Sequence, residues 1–219
     1  MRILLVLALP LLLGACAVTS EAPLFTARDA SPQSMAEGLW ALSGPGCEVG
    51  PLPAGKSIPE CALGLFIVGG TMMADLDSLP PVLKSGPAGL AGSPLDFSKG
   101  TTRTDISSTF LAGGKPLILQ AQTKAGQPGA PPQQITYYAI EPLASDGAGR
   151  IVKAVMWGVA CPVKGQDTTG FKLTAAGCTA ESAAAVRRQA PHLPPFFSFF
   201  LTWVRAQALP PPSPPASAG

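Results

Sequence analysis

The sequence predicts a mainly β or α+β fold: a small antiparallel curved or barrel-like sheet with two C-terminal helices. Gly contributes 24 and Pro 25 of the 219 residues, near twice their usual combined share of about 12%. That composition disfavours a helical bundle or a coiled coil. Short apolar segments between turn signals are typical of strands. The length allows one domain, which we place at residues 38–208.

Strand signals recur through most of this domain. The residues between 62 and 69 form a continuous apolar run, and later segments alternate apolar and polar side chains as half-buried strands do. The clearest hairpin has the sequence Ser-Asp-Gly-Ala-Gly between its two strands, a typical turn composition. The predicted strands cover residues 38–42, 62–69, 103–111, 115–123, 135–143 and 150–160.

Two helices are predicted near the C-terminus. The first covers residues 178–190, with Thr179 as its N-cap and Pro191 ending it. The second begins at Pro194 and Pro195 and continues to Arg205, with a narrow polar stripe on a surface that is otherwise apolar. This second helix either caps the sheet as part of the core or faces a partner protein or the membrane interface. The residues proposed for partner contact are Phe196, Phe200 and Trp203.

The first sixteen residues have the pattern of an export signal. A positive charge at Arg2 is followed by an apolar run and by small residues before Cys16. The run is shorter than the 20 or so apolar residues of a membrane span. Its ending, Leu-Gly-Ala-Cys, resembles a bacterial lipobox. The resemblance implies a signal peptide at residues 1–15 and acylation of Cys16, palmitate included. The alternative is an ordinary secretory signal.

The residue after the lipobox bears on localisation, and the termini are expected to be flexible. Ala17 follows Cys16, whereas an Asp at that position would indicate retention at the inner membrane. Resemblance to the sorting pattern without this Asp implies the outer membrane, on its periplasmic face. Residues 16–37 are predicted to be the lipidated N-terminus and a tether, although Leu24 and Phe25 could dock onto the domain as an extra strand. Residues 209–219 are Pro-rich and predicted to be disordered.

The remaining four cysteines favour disulfides, since an exported chain with an even count typically pairs them. Three connectivities are possible. We favour the local one, Cys47–Cys61 and Cys161–Cys178, because each bond would close a short loop and contribute about 3 kcal/mol to stability. The first of these loops is rich in Gly and Pro and has few apolar side chains of its own.

Few residues point to catalysis. The chain has one His, His192, between Pro191 and Leu193, and it has no Asn. No G-x-S-x-G or S-x-x-K motif occurs. No CxxC spacing indicates a metal site. We therefore predict no catalytic residue, no metal and no cofactor. The net charge of +2 gives no basic field of the kind that binds nucleic acid.

A small ligand pocket is the main alternative to a purely structural role. Tyr137, Tyr138 and Trp157 lie on adjacent predicted strands and could line such a pocket. Aromatic residues on adjacent strands also form ordinary cross-strand core pairs. The sequence leaves both interpretations open.

The order of these features resembles a group of uncharacterised lipoproteins from alphaproteobacteria of the Caulobacter kind. The similarity covers about residues 38–190 and implies a secreted β-rich domain with paired cysteines and no known activity. It does not explain the Phe-rich segment or the Pro-rich tail. The features concerned are the lipobox at Cys16, Gly38-Leu-Trp40 before Cys47, Pro59-Glu-Cys61-Ala62, Pro142-Leu143 before Asp146-Gly-Ala-Gly-Arg150, and Gly177-Cys178-Thr179-Ala180.

These observations favour an envelope lipoprotein that is a non-catalytic binding or structural module. Its expected partners are the membrane, through the N-terminal lipid, and either an envelope protein or a small apolar ligand. The alternatives are a hydrolase with dispersed catalytic residues and an inhibitor of an envelope enzyme. For the inhibitor, the loop between Cys47 and Cys61 would be the contact.

Overall fold

A computed structural model describes residues 17–53, 56–75, 105–123, 135–163, 165–174, 177–192 and 198–206. These residues form eleven strands, one α-helix and a short 3₁₀ turn. The elements are β1 (Val18–Ser20), the 3₁₀ turn (Ala27–Asp29), β2 (Gly38–Ser43), β3 (Ala62–Val68), β4 (Thr71–Asp75), β5 (Asp105–Ala112), β6 (Leu117–Thr123), β7 (Ile135–Ser145), β8 (Ile151–Gly158), β9 (Phe171–Thr174), β10 (Gly177–Ala180), α1 (Ala183–Gln189) and β11 (Ser198–Arg205).

Eight of the strands pair in a ring, and three extend the sheet from it. The order in the sheet is β6-β5-β4-β3-β2-β11-β8-β7-β1-β10-β9, and β6 also pairs with β7. Every ladder within the ring is antiparallel, and β1 pairs with β10 in parallel. The complete sheet is not closed, because β9 ends it as an edge strand in the described part of the chain. The predicted mainly β or α+β fold is confirmed. The sheet is large and mixed rather than small and antiparallel, because eleven strands join it and β1 pairs with β10 in parallel.

One apolar cluster fills the inside of the ring, and every ring strand contributes to it. Alternate residues of each strand point inward, as the pleat of a β-strand requires. Trp40, Ile140 and Leu201 are at most 1% exposed. Other members are Leu42, Leu63, Leu65, Ile67, Met72, Leu117, Leu119, Ala121, Ile151, Ala154 and Met156, with Leu111 from β5 packed against them. This shared core joins strands that are distant in sequence.

Two further clusters cover the outside of the ring. On one side, β1, β9, β10 and α1 pack over β6, β7 and β8, and they bury Val18, Val159 and Val186 completely. On the other side, the loop between β2 and β3 covers Leu39, Phe66 and Val204. The Cys47–Cys61 disulfide lies within that loop. The described part of that loop contains no helix or strand, so its disulfide restrains a segment that has little regular structure of its own.

The local disulfide connectivity is confirmed. Cys47 pairs with Cys61 and Cys161 with Cys178, with Cα atoms 5.9 and 5.7 Å apart. The second bond joins the segment after β8 to β10. It therefore holds the covering layer against the ring.

The predicted second helix is wrong, because residues 198–205 form the strand β11. This strand lies between β2 and β8 and pairs with both along most of its length. Its aromatic and β-branched residues favour a strand, and only the pairing partners show that the apolar surface divides into two faces. Leu201 and Trp203 belong to the inner cluster, while Val204 belongs to an outer one.

The prediction of a partner surface on that helix is also wrong. Phe200 and Trp203 are each partly buried within a central strand, and they lie on opposite faces of it by the period of two. Phe196 lies outside the described residues. The three side chains therefore do not form one helical face.

The first predicted helix is shorter than expected. It covers Ala183–Gln189, and its N-cap is Ser182, whose side chain accepts a hydrogen bond from the Ala185 N–H. Thr179 belongs instead to β10. The backbone of that stretch is paired with β9 and with β1, so its donors are satisfied by strands rather than by a helix.

The predicted tether is wrong for the described part of residues 16–37. Residues 18–20 form β1 between β7 and β10. Leu24 and Phe25 dock as the alternative proposed, although not as a strand: both backbone N–H groups donate to the Gln120 side-chain oxygen at 3.0 Å. The segment is held because its few apolar side chains, among them Phe25 at 2% exposed, complete the outer cluster. Cys16, residues 1–15 and residues 209–219 lie outside the described residues.

Candidate functional site

A short segment, residues 31–37, crosses one end of the ring before β2 begins; we call it the strap. The Ser31 N–H donates to the Leu111 carbonyl at 2.9 Å, which ties the start of the strap to β5. Further along, Ile151 donates to the Ser34 carbonyl at 2.8 Å and accepts from the Ala36 N–H at 2.9 Å. The strap therefore runs from β5 to β8 across the mouth of the ring.

Two tryptophans from inside the ring hold the end of the strap. The Trp40 indole N–H donates to the Ala36 carbonyl at 2.8 Å, and the Trp203 indole N–H donates to the Glu37 carbonyl at 3.0 Å. The Glu37 carboxylate in turn accepts from the Gly69 N–H at 3.0 Å, in the turn between β3 and β4. A buried indole N–H usually needs such an acceptor. These two hydrogen bonds therefore hold the end of the strap at a fixed distance from the core.

A cleft of about 460 Å³ lies between the strap and the β3–β5 side of the ring. Its floor is the open end of the inner apolar cluster, where Ile67, Met72 and Leu119 are buried. Its polar groups come from the strap, from Thr109 and from Arg150. A volume of 300–1,000 Å³ with an apolar lining and a few polar groups is usual for small-molecule sites. The other apolar lining residues are Met35, Phe110 and Leu111.

One cation stands at the rim of the cleft. The Arg150 Nε and Nη2 atoms each lie 2.7 Å from Oδ2 of Asp146, across the turn between β7 and β8. Hydrogen bonds from the Arg150 side chain and backbone N–H hold the pKa of Asp146 below its usual value. A guanidinium has five N–H groups, so three remain without a partner in the described part of the chain. They can donate to a polar group of a ligand.

The three aromatic residues proposed as a pocket do not lie together, so that prediction is wrong. Tyr137 and Trp157 are buried in the outer cluster. The Tyr137 hydroxyl lies 2.5 Å from Ser20 Oγ, and the Trp157 indole N–H donates to the Ala190 carbonyl at 2.9 Å. Tyr138 packs against the inner cluster instead. Consecutive residues of a strand point to opposite faces, which separates the two tyrosines.

The environments of the tyrosines suppress their ionisation. Burial raises the pKa of Tyr138 to about 12. Burial also raises the pKa of Tyr137, against the opposing effect of its hydrogen bond with Ser20. Neither residue lines the cleft. Both hydroxyls are therefore neutral parts of the packed interior at physiological pH.

The described residues assemble no arrangement recognised for catalysis at the cleft. Its lining contains Ser31 and Ser34 but no His or Cys. His192 is exposed at the end of α1, where its backbone N–H donates to the Gln189 carbonyl. In the described ranges no group of three His, Cys, Asp or Glu side chains is placed to hold a metal ion. Among the same residues, no helix has the length and apolar character to cross a membrane.

Comparison with protein-family models, with curated proteins and with solved structures finds no match. The resemblance to alphaproteobacterial lipoproteins therefore stays a prediction.

Sequence reasoning missed the cleft because its lining comes from the strap, four strands and two turns. Local patterns do not show which of these segments meet. The one available signal was Arg150, which directly follows the turn Asp-Gly-Ala-Gly.

Proposed function

We propose that this chain is a lipid-anchored envelope protein whose ring of strands binds a small, largely apolar molecule in the cleft under the strap. The observation behind this proposal is the exposed end of the inner cluster, where a cleft of about 460 Å³ has an apolar floor. Filling such a floor with an apolar ligand is favourable by about 25 cal/mol per Å² removed from water.

The polar rim narrows the class of ligand. In the described part of the chain, three of the Arg150 guanidinium N–H groups have no partner, and they lie above an apolar floor. Arg side chains with this geometry bind carboxylates and phosphates well. Glu37 also lines the cleft, and the Gly69 N–H donates to its carboxylate, which directs that carboxylate toward the turn between β3 and β4 and away from Arg150. We therefore infer an apolar ligand with one acidic end that Arg150 binds, such as a fatty acid.

A binding assay with two fluorescent probes tests this. We use cis-parinaric acid, which has a carboxylate, and N-phenyl-1-naphthylamine, which has none. Ser34→Trp places a large side chain at the mouth of the cleft, from an exposed position of the strap. Ser57→Trp makes the same change at an exposed position of the loop between β2 and β3, and is the control.

The expected result is at least a tenfold weaker binding of both probes by Ser34→Trp and no change in Ser57→Trp. Arg150→Met should weaken the binding of parinaric acid by about tenfold, which corresponds to about 1.4 kcal/mol for one charge-assisted hydrogen bond. The binding of the uncharged probe should not change. Unchanged binding of both probes by Ser34→Trp would place the ligand elsewhere and refute the proposal.

The anchor is tested separately. The lipobox ending at Cys16 supports acylation of that residue, and several acyl chains give stable attachment where one gives only weak binding. Cys16→Ser should move the protein from the membrane fraction to the soluble fraction. Retention of the variant in membranes would contradict a lipid anchor on Cys16.

A further inference from the structure

The described chain enters the sheet directly after the proposed lipidation site. Ala17 forms an antiparallel bridge with Ala160, and Val18 is 0% exposed within β1. Cys16 directly precedes Ala17 in the sequence, and consecutive Cα atoms of a chain are about 3.8 Å apart. A lipid on Cys16 would thus hold this part of the surface close to the bilayer.

Two of the most exposed large apolar side chains lie beside this entry point. Leu173 is 52% exposed on the edge strand β9, directly opposite Cys178. Val163 is 60% exposed, two residues after Cys161. The disulfide brings Cys161 and Cys178 to a Cα separation of 5.7 Å, and Cys178 is also the register partner of Val18 in β1. The disulfide thus places Val163 and Leu173 around the start of β1.

We propose that this anchor edge, formed by Ala17, Val163 and Leu173, lies against the surface of the bilayer. This inference rests on the acylation of Cys16 in the proposed function. The bilayer is the expected contact because Cys16, the residue that would carry the acyl chains, directly precedes Ala17 in the sequence. Exposed apolar side chains next to an inserted lipid lose water when they touch the interface.

The chain also offers a matched control for an exposed apolar residue. Leu143 is 50% exposed, close to the value for Leu173. It lies toward the far end of β7, whereas β1 pairs with Ile135 and Thr136 at the near end. At about 3.3 Å per residue, Leu143 is about 25 Å along the strand from the anchor edge. A bilayer contact at the edge would therefore not include it.

Tryptophan substitution with brominated lipids tests the contact. The lipidated full chain is inserted into vesicles of phosphatidylethanolamine and phosphatidylglycerol, with or without bromine on the acyl chains. Three variants are compared: Val163→Trp, Leu173→Trp and Leu143→Trp. The three native tryptophans give the background measured on the unsubstituted protein. Mass spectrometry confirms the lipid on Cys16, and near-ultraviolet circular dichroism confirms the fold of each variant.

The expected result is a loss of the added emission in brominated vesicles for Val163→Trp and Leu173→Trp, and none for Leu143→Trp. Equal quenching of all three, or quenching of none, in a chain whose lipid is present would overturn the anchor edge and leave the lipid anchor intact. Unquenched emission together with a dimer crosslinked through β9 would assign the edge to a second copy and would equally overturn it. Absence of lipid on Cys16 would refute the anchor itself and this inference with it.

Discussion

The side chain of Gln120 makes three hydrogen bonds to the N-terminal segment and so joins it to the sheet. It is buried on the outer face of β6. Its oxygen accepts from the backbone N–H groups of Leu24 and Phe25 at 3.0 Å, and its nitrogen donates to the Phe25 carbonyl at 3.4 Å. Gln120→Met keeps the length of the side chain and removes all three bonds. Two N–H groups, one of them on a buried residue, then lose their acceptor.

The expected cost follows from that count. Leaving a buried donor unpaired costs about 1–3 kcal/mol, so Gln120→Met should lower the free energy of unfolding by about 2–4 kcal/mol. A typical domain has only about 5–15 kcal/mol in total. Phe25, which lies with its ring centroid 5.8 Å from that of Tyr137, should also become more exposed.

Urea unfolding with the disulfides intact, followed by tryptophan fluorescence, measures this change. Gln122→Met is the control, because it is the same substitution two residues along the same strand, at a half-buried position where the side-chain oxygen accepts a solvent-exposed hydrogen bond from Ser108 Oγ at 3.3 Å. The control substitution should lower the free energy of unfolding by less than about 1 kcal/mol. Equal losses in the two variants would refute the structural role assigned to Gln120 and would favour a loosely attached N-terminal segment.

Three further predictions concern the ring and its coverings. Gly38 has φ +132° and a Cβ there would lie 2.3 Å from the Arg205 carbonyl oxygen, so Gly38→Ala should lower the urea midpoint far more than Gly44→Ala, where nothing lies within 4 Å. Alkaline titration at 295 nm should show less tyrosinate in the folded than in the unfolded protein between pH 10 and 11, since burial raises the pKa of Tyr137 and raises that of Tyr138 to about 12. Because the unfolded tyrosines ionise near pH 10, stability should fall as the pH rises from 10 towards 12, and a normal titration near pH 10 in the folded state would contradict the burial. Replacing both cysteines of the Cys161–Cys178 disulfide with Ala should cost about 3 kcal/mol, measured by thermal unfolding, and an unchanged midpoint would contradict the stabilising role.

The parts of the fold that were predictable from the sequence depend on local information. The hairpin of β7 and β8 has its turn residues between two apolar runs, and both disulfides join cysteines fewer than twenty residues apart. The strand β11 was not predictable in this way. Its residues are apolar on almost every side, so the period of two is hidden until β2 and β8 supply the pairing.

The N-terminal segment shows a second limit. Val18 and the pair Leu24-Phe25 are the large apolar residues among Ser, Thr, Ala, Pro and a few charges, a composition that also suits a linker. Their burial depends on β7, β10 and the Gln120 side chain, which are about 100 residues or more away. Contacts at that separation determine whether such a segment folds, and no local pattern contains them.

The N-terminal segment relates the proposed anchor to the proposed binding site. Residues 17–20 lie at the Ile135 end of β7, and the strap lies at the opposite end, where Ile151 follows the hairpin. Along β7, Ile135 lies about 30 Å from the end where the strap meets Ile151. The other side of the cleft is nearer, because Leu119 lines the cleft and is the register partner of Tyr138, about 10 Å along β7 from Ile135. With Cys16 as the anchor, the Arg150 rim would therefore be the part of the cleft farthest from the bilayer, and a ligand would enter there from the aqueous compartment.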